Sequence, residues 1–365
     1  MKRRVLLSLL ASASASAALA SGSLNVARAA DLRRRHVLVL LELRGGNDGL
    51  NTLVPFRDPL YRAARPSLAL QDALPLTDTL GLHPALAPLL PLWQQKRLGF
   101  AQGVGWSRPN RSHFKSADQW ATANPSGEGP GWLASAFDQR RSTGPLVALD
   151  PAGSSAMEGG KALALQLSPV QLESGNSKIL YPDLAGNNSV LRQMLALEQI
   201  GQAEIAKLRQ QLMPLPVGVK IPKGNLGQQI ALALRLIGSA SCPPVLQLAQ
   251  GGYDTHANQL VRHNRVLGDL AKALVAFDTG LQTIPNRPQV TLVSVSEFGR
   301  RLQENGSRGS DHGSASIAIL YGDRIPQPLL GSYPSLSLLD ERGDLIPSIS
   351  PPQLYENVLK QTFPV

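Results

Sequence analysis

"HVLVLLELRGGNDGLNT", residues 36–52, joins eight residues that are apolar in all but His36 and Glu42 to a polar turn opened by Arg44 and two glycines. A strand that is apolar on both faces needs cover on both sides, as a buried strand of a mostly parallel sheet has. Similar short runs recur at Arg97–Gly103 ("RLGFAQG"), Pro145–Leu149, Pro244–Ala249 ("PVLQLA"), Gln289–Ser296 ("QVTLVSVS") and Ser316–Tyr321 ("SIAILY"). Between them lie longer segments of helical period: His83–Gln95, Ser112–Ala123, Ser189–Leu212 and Ala257–Leu281. In the last, Leu260, Leu267, Leu270, Leu274, Phe277 and Leu281 recur at threes, fours and sevens, which predicts an apolar stripe lying on the sheet. Strand and helix alternating in this way predict an α/β three-layer sandwich with a mostly parallel central sheet. Met213–Asn225 reads as a Pro/Gly loop between helices.

Residues 1–30 stand apart. A basic start, a small and apolar middle and Ala-x-Ala at Ala27 to Ala29 form the layout of an export signal. Arg3-Arg4 before Val5-Leu6-Leu7 fits the twin-arginine type, with Lys2 where Ser or Thr is frequent. A periplasmic or secreted protein follows, with residues 31–365 as a single domain and no stable membrane span once the signal is cleaved. The signal takes four of the 36 basic residues, leaving 32 against 26 acidic ones, a balance of +6. Those charges are scattered and lack interleaved aromatics, which argues against nucleic-acid binding. Cys242, the only cysteine, excludes an internal disulfide.

Four polar clusters follow four of the strands directly: "RGGNDGLNT", "VGWSRPNRSHF", "GGYDTHANQ" and "SEFGRR". In a parallel sheet these positions share the carboxyl edge, where such folds bind ligands. Asp48, Asp254, His256, Asp311 and His312 are ligand types for Zn, Mn or Ca. Arg44, Arg111 and Arg300, with Asn47 beside them, could hold a phosphate or sulfate. Ser112 falls near a helix start, where backbone N–H groups favour an anion. Together these residues outline a metal-assisted ester hydrolase. Each also has a structural reading: Asp48-Gly49 as a turn, Ser112 as a cap, Asp311-His312 as a solvated loop, and the arginines as surface pairs. His83 and His263 carry no expected role. "DTH" is a possible ligand pair only if its helix begins after His256, because residues two apart face one side only in an extended segment. Dinucleotide, P-loop, nucleophile-elbow and His-Glu-x-x-His motifs do not occur.

"LLELRGGNDGLNTLVPF" (40–56), "GLHPALAPLLPLW" (81–93), "NRSHFKSADQW" (110–120), "GGYDTHANQ", "SEFGRR" and "GSDHGS" resemble, in order, the bacterial domain of unknown function 1501 family. That family is placed with the alkaline phosphatase and sulfatase superfamily, and many members carry a twin-arginine signal. The resemblance implies an alkaline phosphatase-like fold with metal ligands at the strand ends. It implies Asp48 as a metal ligand and Ser112 as nucleophile, with Ser107 as a rival in the sulfatase-like "SRPNR". His113 or His256 would protonate the leaving group. Glu297 and Phe298 stand where the superfamily has Asp and His, so Glu297 could bind a cation and Phe298 could not. The pattern supports one metal or none rather than two. The expected function is an exported hydrolase of sulfate or phosphate esters, including sulfated or phosphorylated glycans, assisted by a divalent metal. The alternative is a non-catalytic secreted binding or assembly protein on the same scaffold. Beyond a substrate, the export machinery is the only expected partner.

Overall fold

The computed structural model describes residues 35–140, 144–168 and 181–364, so the expected signal lies outside the described residues. Strand β1 (His36–Leu43) sits inside an eight-stranded sheet. The other strands are β2 (Leu98–Val104), β3 (Leu146–Ala148), β4 (Ala164–Gln166), β5 (Val245–Gln250), β6 (Gln289–Val295), β7 (Ser316–Gly322) and β8 (Leu329–Leu330). Their spatial order is β8-β2-β7-β6-β1-β5-β3-β4. Every neighbouring pair is parallel except the two made by β7, which runs against both β2 and β6. Six of these strands match the sequence expectation to within one residue at either end.

Successive side chains of a strand point to opposite faces, and β1 uses both. Val37, Val39, Leu41 and Leu43 enter a core with helices α4 (Asn225–Ile237) and α5 (Gln259–Thr283), where Ile230, Leu234, Leu270 and Phe277 are buried. Leu38 and Leu40 enter a second core on the other face, with α1 (His113–Thr122), α2 (Trp132–Asp138) and α6 (Pro351–Thr362). The result is the expected three layers. Helix α3 (Ser189–Gln211) joins the first core at its edge, through Leu208, its one buried residue among those described, and half-buried Ile205.

Two helical expectations need correction. Residues 83–95 form a 3₁₀ segment, Pro84–Leu89, followed by one short helix, Leu90–Gln94, rather than a continuous helix. Pro88, inside the 3₁₀ segment, lacks the N–H that a continuing α-helix requires. In α5 the apolar stripe begins later than expected, because Leu260 in the first turn is 37 % exposed while Leu267 onward is buried.

Strands β1, β2, β5 and β6 point the same way, so residues 44–48, 105–112, 251–256 and 296–300 all emerge at one edge. Because β7 is antiparallel, its beginning reaches that edge too. It brings a hairpin of Arg300–Glu304 and Ser310–His312 with it.

Candidate active site

The turn after β1 is built around an amide clamp. Gly45 and Gly46 have φ of +117° and +77°, which glycine adopts without strain. This aims both N–H groups at Glu297: Gly45 N lies 2.9 and 2.8 Å from the two carboxylate oxygens and Gly46 N lies 2.9 Å from one of them. A side chain on Gly45 would place its Cβ 2.5 Å from the backbone nitrogen of Asp254. Arg300, although charged, is fully buried. Its guanidinium donates to the carbonyls of Gly45, Gly46, Tyr253 and Ser310 and to Asp254 Oδ1 at 2.9 Å. A single cation thus ties three chain segments together, and a buried donor set needs such partners.

Around Asp254 the imidazoles converge. His256 Nε2 and His312 Nε2 lie 3.1 and 3.2 Å from Asp254 Oδ1, and 2.9 Å from each other. His113 Nε2 lies 3.6 Å from Asp254 Oδ2. His256 Nδ1 is 3.1 Å from Asp311 Oδ1, and Asp311 also accepts from Asn305 at 3.0 Å. Helix α5 begins at Gln259 after Asn258 in the left-handed region, which leaves Asp254 and His256 in the extended approach.

His312 Nδ1 lies 2.8 Å from the carbonyl of Arg111, and only an N–H can satisfy that acceptor. In the neutral ring Nε2 then carries a lone pair. That lone pair faces a carboxylate oxygen, which only accepts, and the Nε2 of His256, so a proton carried by His256 or a bound cation fills the space between them. Burial works against a charged His312 and lowers its pKa, outweighing the hydrogen bonds to the Arg111 carbonyl and Asp254 that raise it. Burial pushes Asp254 up, but hydrogen bonds from Arg300 and His312 outweigh it and hold the carboxyl down at about 2. Asp311 is also lowered, first by the Asn305 hydrogen bond, with burial opposing.

Among the described residues, His113, Asp254 and His312 offer three ligand atoms within 4.8 Å of one another. Two imidazoles and an ionised carboxylate are a donor set that fits zinc with a coordination position left open. Phe298, 1 % exposed, packs against this set with its ring 5.0 Å from His113 and 4.2 Å from His312. It supplies no ligand atom.

Other expected residues lie elsewhere. Asp48 is fully buried and paired with Arg65 at 2.6 Å, and it accepts from Gln259 and from the amides of Leu50 and Asn51. Asn47 is buried too, with its Oδ1 3.0 Å from His263 Nε2 and accepting from Thr52. Arg44 binds Glu42 and Asp150 at 2.7 and 2.8 Å, away from the histidines. The Arg111 side chain pairs with buried Asp344, and its carbonyl rather than its guanidinium meets His312. Glu297 reaches the group from beneath, 3.9 Å from His113 Nδ1. Ser112 is the exposed N-cap of α1, directly before His113, and its hydroxyl makes no capping hydrogen bond. Ser107 is exposed in the preceding loop.

Three supporting residues escaped sequence reading: Arg65, Asn305, and Ser116, whose hydroxyl donates to the Glu297 carbonyl. Ser116 had a signal, because it lies one helical turn after Ser112 on a face that meets the sheet. Arg65 and Asn305 had none.

A mostly parallel sheet covered on both faces, with a His/Asp cluster at its carboxyl edge, defines the class of this α/β protein. The chain belongs to the family described as "Protein of unknown function (DUF1501)", which matches residues 105–361. No curated protein matches it. Among solved structures it is similar to Ps i-CgsB, at 11 % identity and a TM-score of 0.43, over 90 % of this chain and 72 % of that one. It is also similar to the C-terminal periplasmic domain of phosphoethanolamine transferase EptC from Campylobacter jejuni (12 %, TM-score 0.43, 91 % of each chain). A third is phosphonoacetate hydrolase from Sinorhizobium meliloti 1021, seen in complex with phosphonoformate (13 %, TM-score 0.33, 74 % of this chain and 57 % of that one). At such identities the activity must be argued from the residues. Among the described residues, no helix is long and apolar enough to cross a membrane.

Proposed function

We propose that this chain is an exported hydrolase of sulfate or phosphate esters, with Ser112 as nucleophile and one divalent cation held by His113, Asp254 and His312. The reading rests above all on the ligand atoms of His113, Asp254 and His312, which lie within 4.8 Å of one another, with the His312 Nε2 lone pair directed at the Asp254 carboxylate. When bound, such a cation supplies Lewis-acid stabilisation of the ester oxygens and lowers the nucleophile's pKa. Ser112 stands at the head of α1, where the free N–H groups of the first turn favour an anionic centre. Its Oγ gives up its proton to solvent and forms the bond to sulfur or phosphorus as the bond to the leaving oxygen breaks. His256, oriented by Asp311 through Nδ1, donates a proton from Nε2 to the departing alcohol. Water then releases the inorganic anion and regenerates the hydroxyl.

Phe298 favours a second reading, a secreted binding or assembly protein, because it occupies a place beside the imidazoles that a ligand would use. Metal analysis of the purified protein, with a sulfate- and phosphate-ester panel on wild type and Ser112→Ala, separates the two. The hydrolase reading expects about one metal per chain and a rate lowered by roughly 10³-fold or more in the variant, the scale of losing an activated nucleophile. An unchanged rate removes Ser112 from the mechanism. Metal-free protein that retains a sulfated polymer and cleaves nothing selects the binding reading.

A further inference from the structure

Helix α1 serves two places at once. Its first residue, His113, enters the histidine group, while Asp118, Trp120 and Ala121 further along line a cavity of about 230 Å³ against the sheet. Glu297 belongs to both, with its carboxylate 3.9 Å from His113 Nδ1 and in the cavity wall. The cavity therefore begins where the ester site ends. Its volume lies below the usual range of ligand pockets, which suits a small occupant.

The lining is polarised. Glu42, Asp118 and Glu297 contribute three carboxylates, against the guanidinium of Arg44. That guanidinium is already shared between Glu42 and Asp150, so the wall carries net negative charge. Trp132 and Tyr355, stacked with centroids 4.0 Å apart and planes 4° apart, form an aromatic side of the same cavity. Trp120 lines it as well, is 5 % exposed, and has an indole N–H with no hydrogen-bond partner. Carboxylates beside aromatic rings attract organic cations and repel anions. The Trp120 indole N–H takes no part in holding an ammonium, which offers it no acceptor.

We infer that this cavity binds the organic part of the substrate and selects a small alkyl group bearing an ammonium. This rests on the ester-hydrolase reading only for the word substrate; the binding preference stands on the cavity itself. The anionic ester group remains at the histidine site, and the carboxylate wall draws the cationic end inward.

The test uses the folded full chain, zinc-loaded and metal-free, and the fluorescence of its tryptophans. Tetramethylammonium and n-propylamine are titrated beside two probes of similar size, tert-butanol and propanoate. Both ammonium probes are expected to give a saturable change in both metal states, with at least tenfold weaker binding of the neutral and anionic probes. Asp118→Asn should weaken ammonium binding by threefold or more, and Ala121→Phe, which fills the space, should abolish it. Equal binding of tert-butanol, or no saturable change with the amines, overturns the inference. Amine binding without cleavage of any ester sinks only the hydrolase reading. Cleavage that does not distinguish aminoalkyl from alkyl esters, without amine binding, sinks only the inference.

Discussion

Asp48 has no exposed side-chain surface while Asp254 exposes 47 % of its own, although both follow parallel strands at the same sheet edge. Asp48 is committed to Arg65, itself fully buried, so the pair neutralises two charges in the interior. Removing one partner leaves the other charged and unsolvated, at a cost of about 3–5 kcal/mol. Asp48→Asn should therefore lower the denaturation free energy by that amount and leave metal content unchanged. His312→Ala should do the opposite, abolishing metal binding while shifting the denaturation midpoint much less. Elemental analysis and denaturant titration of the two variants check this, and metal lost from Asp48→Asn would return Asp48 to the ligand set. The reason sequence reading grouped the two aspartates is physical. Strand-end position is visible in a sequence, but the partner that claims Asp48 lies 17 residues on, at the end of the short helix Pro59–Ala64, where no pattern points back.

The hairpin Arg300–Glu304 and Ser310–His312 decides whether the imidazoles meet, because it alone delivers Asp311 and His312 to Asp254 and His256. It lies tight on the "DTH" segment at Gly309, where an added Cβ would fall 2.2 Å from both the carbonyl carbon and the oxygen of His256. Backbone on backbone cannot yield there without moving the hairpin. Gly309→Ala should weaken zinc binding by at least tenfold, since ligand geometry is lost before the sheet is, while the far-UV circular dichroism stays native. Unchanged zinc affinity would show that the hairpin does not set the site. The sequence announces its long strands, because β1, β5 and β6 carry enough apolar residues to show burial on both faces. It is silent on β4 and β8, with three and two residues, and on the hairpin, whose strands read "RRLQE" and "SDH". Too short or too polar to show a period, these elements are placed by the sheet they join. The candidate site was therefore legible as a set of residues but not as an arrangement.

Across the whole molecule, the buried polar layer beneath the site makes stability depend on acid. His83 and His263 are buried, with rings 5.7 Å apart, and burial lowers both pKa values, to about 4 and about 3, despite the nearby Asp48 carboxylate. An unfolded chain protonates both rings as the pH falls below about 6.5, whereas the folded chain keeps them neutral until near 4 and 3. Between those limits the unfolded state binds more protons, so stability falls with falling pH. For His83 the loss amounts to roughly 3 kcal/mol at about 1.4 kcal/mol per pH unit. Asp48 adds the same sign lower down. Burial raises its pKa, but Arg65 outweighs this and lowers it, so its pairing is fully present above the ordinary carboxylate range and is lost only as its own depressed pKa is reached. The net positive charge of the chain grows in acid and works in the same direction. Stability should thus be level near pH 7 to 8 and decline steadily from about 6.5 to 4. His83 also accepts the Ala85 amide through Nδ1 at 3.0 Å, a capping contact that asparagine can replace. His83→Asn should consequently retain the fold at pH 7.5 and show a shallower decline in denaturation midpoint between pH 6.5 and 4.5 than wild type. A slope equal to the wild-type slope would mean that His83 is not the buried neutral group its surroundings require.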